Sequence, residues 1–452
     1  MNGTSRHGLG VLALVVSAGL LVACNLDQEG APPPPRTLNY PIALALSQPA
    51  EAGEAPRHLF VANSNFDLRY NTGSLMAIDL EVLDDLVAGC DGNADCDLLL
   101  EDHPALVAAE VGIGTHADGL SLRSDGGRLY LPLRSEESLA WIDFVDDAGD
   151  GVSFACGQPQ EVDEGIPRCD DEVYVAGVDD VENERELVLE GDPVAVANGR
   201  LSEIADLPDD AGEFVLLAMR DGRVALFLDE GDGEGPRLVH VAEGFAENLV
   251  TVTMQPGTGV AWLTSSTTDR IDRVGISVDA ANPSRSFLYD FGGLRVGGID
   301  DGEDLREVQF LAADPNRAFV LSRRPEAVVS LDLARRSRTF GEAPVEELYE
   351  VGAGPSRLVP LQIDGRTYVL ASCFDAQKLY LIDADTGALI AVVGGFSGPF
   401  ELVHDEARDR VYLADFSTSQ IRVIDLSPVR DDGTPQLVAT IGEVIAAGSI
   451  LD

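Results

Sequence analysis

The chain has 452 residues, with 78 acidic side chains against 31 basic ones and a formal net charge of -47. A surface of that sign repels nucleic acid and anionic headgroups, which excludes both as partners recognised by charge. No phosphate loop, dinucleotide fingerprint or Gly-x-Ser-x-Gly elbow is present to name a chemistry.

At the N-terminus, Arg6 and His7 precede an apolar run from Leu9 to Val22 that closes on Leu21-Val22-Ala23-Cys24. Small residues before a cysteine have the form of a bacterial lipobox. Residues 1–23 are therefore expected to be a lipoprotein signal peptide, with Cys24 the lipidated first residue of the mature chain. The run is shorter than the roughly 20 apolar residues of a permanent span, so contact with the membrane is expected through the lipid anchor only. Asn25 after the cysteine, where Asp would signal retention, favours the outer membrane of the cell envelope. Residues 24–37 are polar and carry Pro32-Pro33-Pro34-Pro35. They read as an extended tether rising about 3.1 Å per residue.

From residue 38 to 452 one pattern recurs: a short apolar strand, a polar turn, and a second apolar strand closing on Asp or a neighbouring polar residue. The copies are Leu59–Asn63 to Met76–Leu80, Leu129–Leu131 to Ala140–Asp143, Phe214–Ala218 to Val224–Leu228, Val260–Leu263 to Val274–Val278, Phe319–Leu321 to Val328–Asp332, Tyr368–Leu370 to Tyr380–Asp383, and Val411–Ala414 to Val423–Leu426. The closing aspartates Asp79 and Asp143 are 64 residues apart, Asp332 and Asp383 are 51, and Asp383 and Asp425 are 42. Blades of four strands need about 40 to 50 residues. The expectation is an all-β chain, a seven-bladed β-propeller of four-stranded antiparallel blades. Gly354-Pro355 and Gly398-Pro399 stand just before apolar strands, where small residues suit the crowded approach to a propeller axis. Leu437–Ile441 is either the last strand of blade seven or an outer strand completing blade one.

The excess length falls in insertions near residues 81–110 and 145–190, both acidic and expected to form a raised recognition rim. Each holds a close cysteine pair, Cys90 with Cys96 and Cys156 with Cys169, which in an exported chain reads as two disulfides. No Cys-x-x-Cys is present to suggest a metal or haem. Cys373 is expected to be a buried strand residue. Alternating acids and glycines, Asp229, Asp232 and Glu234 among them, could supply oxygen ligands to Ca2+. In so acidic a chain, solvated loops are the leading reading of these clusters.

Catalytic candidates are the polar residues placed at the starts of innermost strands: His116, Asp118, Glu307 and Glu401. A carboxylate and imidazole cluster there could hold a divalent ion and polarise a lactone carbonyl.

Tyr380-Leu381-Ile382-Asp383-Ala384-Asp385-Thr386-Gly387, followed by Leu389–Gly394, resembles a full repeat of the YVTN family of seven-bladed propellers. The resemblance extends over residues 40–445, clearest in blades one, two, six and seven. It implies the fold and no catalytic motif. The leading functional expectation is a binding or scaffolding module of the envelope whose partner is an envelope protein or other extracytoplasmic ligand. The alternative is a metal-dependent, lactonase-like hydrolase working at the channel mouth.

Overall fold

A computed structural model describes residues 30–49, 54–90, 96–147, 151–157, 165–169, 174–177, 189, 191–231, 233–297, 304–335, 337 and 339–445. The chain is a seven-bladed propeller. Its innermost strands, in chain order, are Pro41–Leu46, Ser121–Leu122, Pro193–Arg200, Leu249–Met254, Asp304–Leu311, Pro355–Ile363 and Pro399–Asp405. In every blade the first three strands follow outward in sequence order, each antiparallel to the last, and a later strand pairs antiparallel outside them. All seven repeat copies read from the sequence are the second and third strands of a blade. In blade one, for example, His58–Asn63 pairs with Gly73–Asp79 in the register Phe60 to Ala77.

These strands read as continuous apolar runs because each blade is covered on both faces. In blade one, Leu59, Val61, Met76 and Ile78 pack on Tyr412, Ala414, Ile421 and Val423 of blade seven. The alternate residues Phe60, Ala62, Leu75 and Ala77 pack on Leu129, Leu131, Ala140 and Ile142 of blade two. A period of two is preserved, with both phases buried. Gly354 and Gly398 do open the innermost strands of blades six and seven. Gly354 has φ 67°, and a Cβ there would collide with the Asp375 carboxylate.

Ring closure follows the first of the two options. Gln436–Ile441 is the fourth strand of blade seven. A fifth strand, Asp97–Leu98 from the blade-one insertion, then pairs with Thr440 and Ile441 in parallel. The two expected disulfides, Cys90–Cys96 and Cys156–Cys169, are both formed, and Cys373 is a buried free thiol.

Two expectations need correction. The described residues of 81–110 do not form a raised rim. Asp79 caps a helix, Leu80–Gly89, by accepting from the Glu81 and Val82 amides. That helix buries Leu80 and Leu83 in the core shared by blades one and seven. The remainder supplies the closing strand and the outer strand Val107–Ile113 of blade one. The C-terminal part of the proline-rich tether is not a free spacer either. Ala31 and Pro33 accept from the backbone of Asn71 and Ile166, and the Arg36 amide donates to Glu110 Oε2 at 2.8 Å. The proline-rich run lacks backbone donors of its own, but its carbonyls remain available, and the domain uses them. Most of 145–190, Cys24 and the signal segment lie outside the described residues.

Candidate functional site

In each blade the innermost strand begins on the same face to which the second strand returns. The turn between strands two and three therefore stands beside the start of strand one. Seven such pairs surround one end of the central channel. The resulting bowl has a volume of 440 Å³ and continues into a channel body of 690 Å³. Asp118, Val194, Val250 and Arg357 line both.

The side chains of the bowl divide by blade. Phe66 of blade one, Phe374 of blade six, and Phe400 and Phe416 of blade seven form an aromatic wall. Phe416 is its centre, with ring centroids 5.5 Å from Phe66, 6.3 Å from Phe374 and 6.1 Å from Phe400. Arg134, Arg220, Arg306, Arg323 and Arg357 come from blades two, three, five, five and six. In a chain with so few cations, this is a concentration of positive charge at one end of the axis. The channel body is different in character: Glu307, Glu401, Glu406 and His404 line it among aliphatic residues.

The arginines are held by carboxylates. Arg357, almost fully buried, donates from Nε to Glu401 at 3.0 Å and from Nη1 to the Ser356 carbonyl at 3.1 Å, and its guanidinium lies 4.8 Å from the Phe400 ring centroid. Arg306 pairs with Asp304 at 2.7 Å and Arg323 with Asp375 at 2.9 Å. Arg134 bridges Asp118, at 3.2 Å, and Asp192, which Arg220 also reaches at 3.3 Å. Burial, reinforced by the like charges of Arg323 and Arg357, lowers the pKa of Arg306 against the pull of Asp304.

Asp118, Glu307 and Glu401 all reach the channel, but they do not assemble into one cluster with His116. The His116 ring packs edge-on to Phe66 at 5.9 Å, and its backbone takes a left-handed turn at φ 58°. Its Nδ1 is buried without a hydrogen-bond partner. Asp118 is raised in pKa by burial, against the Arg134 charge. Burial raises Glu307 to about 7, opposed by Arg357 and assisted by Glu401. Both Glu307 oxygens are engaged: Oε1 accepts from Gln309 Nε2 at 2.8 Å and Oε2 from the Leu358 amide at 2.7 Å. Among the described residues no three His, Cys, Asp or Glu side chains converge as a metal-binding group. The donors present do not fit the divalent ion of the hydrolase expectation.

Of the calcium candidates, Asp229 is buried and accepts from Arg128, from the Tyr130 hydroxyl and from the Gly231 amide. The Glu234 carbonyl accepts from the same Arg128 at 2.7 Å. Asp232 lies outside the described residues.

The arginine and phenylalanine lining escaped the sequence reading. A signal was available, however, in the residue just after the second strand of four of the repeats. Arg134 follows Leu133, Arg220 follows Met219, Phe374 follows Cys373 and Phe416 follows Asp415.

No protein-family model matches the chain, and no curated protein matches it significantly in sequence. Solved structures do resemble it. A putative 6-phosphogluconolactonase from Bacteroides fragilis aligns with a TM-score of 0.54 at 13% identity, covering 88% of this chain and 96% of that one. Hydrazine synthase from Kuenenia stuttgartiensis aligns with a TM-score of 0.51 at 14% identity, covering 86% and 96%. The C-terminal WD40 domain of Sif2 gives 0.50 at 12% identity, covering 92% and 88%. Three such different proteins at these identities share a fold with this chain and nothing finer. The YVTN resemblance thus rests on the repeat residues alone, while the propeller it implied is present.

Proposed function

We propose that this protein is a binding module of the cell envelope, anchored through a lipidated Cys24 to the outer membrane, that takes an extracytoplasmic ligand or envelope protein at the channel mouth. The observation that carries this reading is the convergence of side chains from all seven blades on one bowl. Concave sites with an apolar wall and a few charged groups are where ligands bind. The two disulfides agree with an oxidising compartment.

In-cell crosslinking of the full chain, compared with Ser266→Trp, tests the site. Ser266 lines the bowl, and an indole there would fill it. Loss of the captured partner with the fold intact is expected; unchanged capture overturns the mouth as the site. Cys24→Ser is expected to move the protein out of the membrane fraction, and its retention there would remove the anchor.

One observation favours a second reading, hydrolysis. Glu307, with a pKa raised to about 7, has the proton affinity a general base needs at neutral pH. Its engaged oxygens count against the role. Turnover of a lactone by the wild-type chain, abolished in Glu307→Gln, would establish it; no turnover would remove it.

A further inference from the structure

We infer that the channel mouth binds a small organic monocarboxylate with a flat apolar body, its carboxylate held by Arg306, Arg323 and Arg357 and its body laid on the Phe66, Phe374 and Phe416 wall. The inference rests on the mouth being the binding site and names the class of ligand it takes.

The crowding of guanidinium groups in the bowl argues for an anion. On the side of blades two and three, Arg134 and Arg220 face Asp118 and Asp192, two charges against two. Across blades five and six the guanidinium groups crowd together: Arg306, Arg323 and Arg357 line one bowl, paired with Asp304, Asp375 and Glu401. The further carboxyl there, Glu307, is held partly neutral near pH 7 by its burial. Three guanidinium groups sharing one cavity repel one another, and an incoming anion relieves that repulsion.

The donors to receive it are also present. Arg323 commits only Nη2, to Asp375, and Arg357 commits only Nε and Nη1, so each retains N–H groups without partners among the described residues. A guanidinium fork matches a carboxylate bidentately. A single carboxylate presents the two acceptor oxygens that such a fork takes.

The aromatic wall sets the rest of the ligand. Phe66 is 56% exposed although it faces the bowl, so apolar area remains for a partner to cover. Rings already spaced at 5.5 to 6.3 Å around Phe416 can take another ring edge-on or offset. A volume of 440 Å³ suits a small molecule.

Calorimetric titration of the full-length chain with phenylacetate, phenylacetamide, acetate and phenyl phosphate tests this. Phenylacetate is expected to bind saturably, with phenylacetamide and acetate each weaker by roughly tenfold or more, since a charged hydrogen bond and a buried ring each account for that much. Arg323→Gln, near the end of a strand, and Phe66→Ser, at an exposed turn, are expected to weaken phenylacetate to the same degree with unchanged circular dichroism. Equal affinity for phenylacetamide overturns the charge recognition but leaves the mouth as a site. Tighter binding of phenyl phosphate overturns the carboxylate assignment. Absence of saturable heat with every probe overturns the ligand class, while the mouth itself stands or falls on crosslinking to Ser266→Trp.

Discussion

The Thr440 amide donates to the Cys96 carbonyl at 2.9 Å, joining the last strand of blade seven to the insertion of blade one. The Gly442 amide repeats the contact with Leu98 at 3.0 Å. Cys96 is held at this point by its disulfide to Cys90, at the end of the helix Leu80–Gly89. Asp84 of that helix pairs with Arg408 and Arg410 of blade seven. A propeller whose blades are each contiguous in sequence has no shared strand to lock its ends, so this short strand and its disulfide take that role. Cys90→Ser with Cys96→Ser is expected to lower stability by about 2 kcal/mol, the entropy of a short closed loop. Calorimetry would show the shift, and an unchanged melting temperature would mean that the helix and its ion pairs close the ring unaided.

Arg128 ties blade two to blade three. Its side chain is 2% exposed and pairs with Asp143 at 2.6 Å and Asp229 at 3.0 Å, and it lies 4.2 Å from the Trp141 ring centroid. Removing the guanidinium leaves the fully buried Asp229 carboxylate with the Tyr130 hydroxyl and the Gly231 amide as its donors among the described residues. Arg128→Met is expected to cost about 3 to 5 kcal/mol, the penalty for an uncompensated buried charge, measured by urea unfolding. With Asp229 already so engaged, a calcium chelator is expected to leave the melting temperature unchanged. A drop would restore the acidic loop as a calcium site.

Cys373 ends the second strand of blade six and is fully buried. Burial pushes its thiol up to about 12, so little thiolate exists at pH 8. The native protein is expected to resist iodoacetamide there and to take up one label on unfolding. Rapid native labelling would show that the second strand of blade six opens at its mouth end.

The fold was legible because burial of both blade faces turns strands two and three into unbroken apolar runs, each ended by a turn or an aspartate. Ring closure was not, because the latch Asp97–Leu98 is two residues long and has no periodicity to detect. The mouth was only half legible. Asp118, Glu307 and Glu401 precede or begin innermost strands, a position the repeat makes visible. The arginines and phenylalanines that surround them are scattered over turns and strand ends from Phe66 to Phe416. Only the fold brings Phe66 within 5.5 Å of Phe416. His116 was drawn in by its neighbour Asp118, yet a left-handed turn sends its ring to Phe66 instead.

Glu307 makes stability depend on pH in a direction that can be stated. Its folded pKa, about 7, lies above that of an exposed glutamate. Between those values the folded state binds more protons than the unfolded state, so this group favours folding as pH falls and penalises it as pH rises through 7. The largest cause is burial, with Glu401 adding to it and Arg357 opposing. Glu307→Gln carries no charge at any pH but keeps an acceptor oxygen for the Leu358 amide. The variant is therefore expected to match the wild type near pH 4.5, to gain on it up to about pH 7 and to hold that gain above, by on the order of 3 kcal/mol at most. Melting curves of both proteins across that range would measure the divergence. A wild-type advantage that grows with pH would mean that the Glu307 carboxylate is stabilised by Arg357 more than it is penalised by burial.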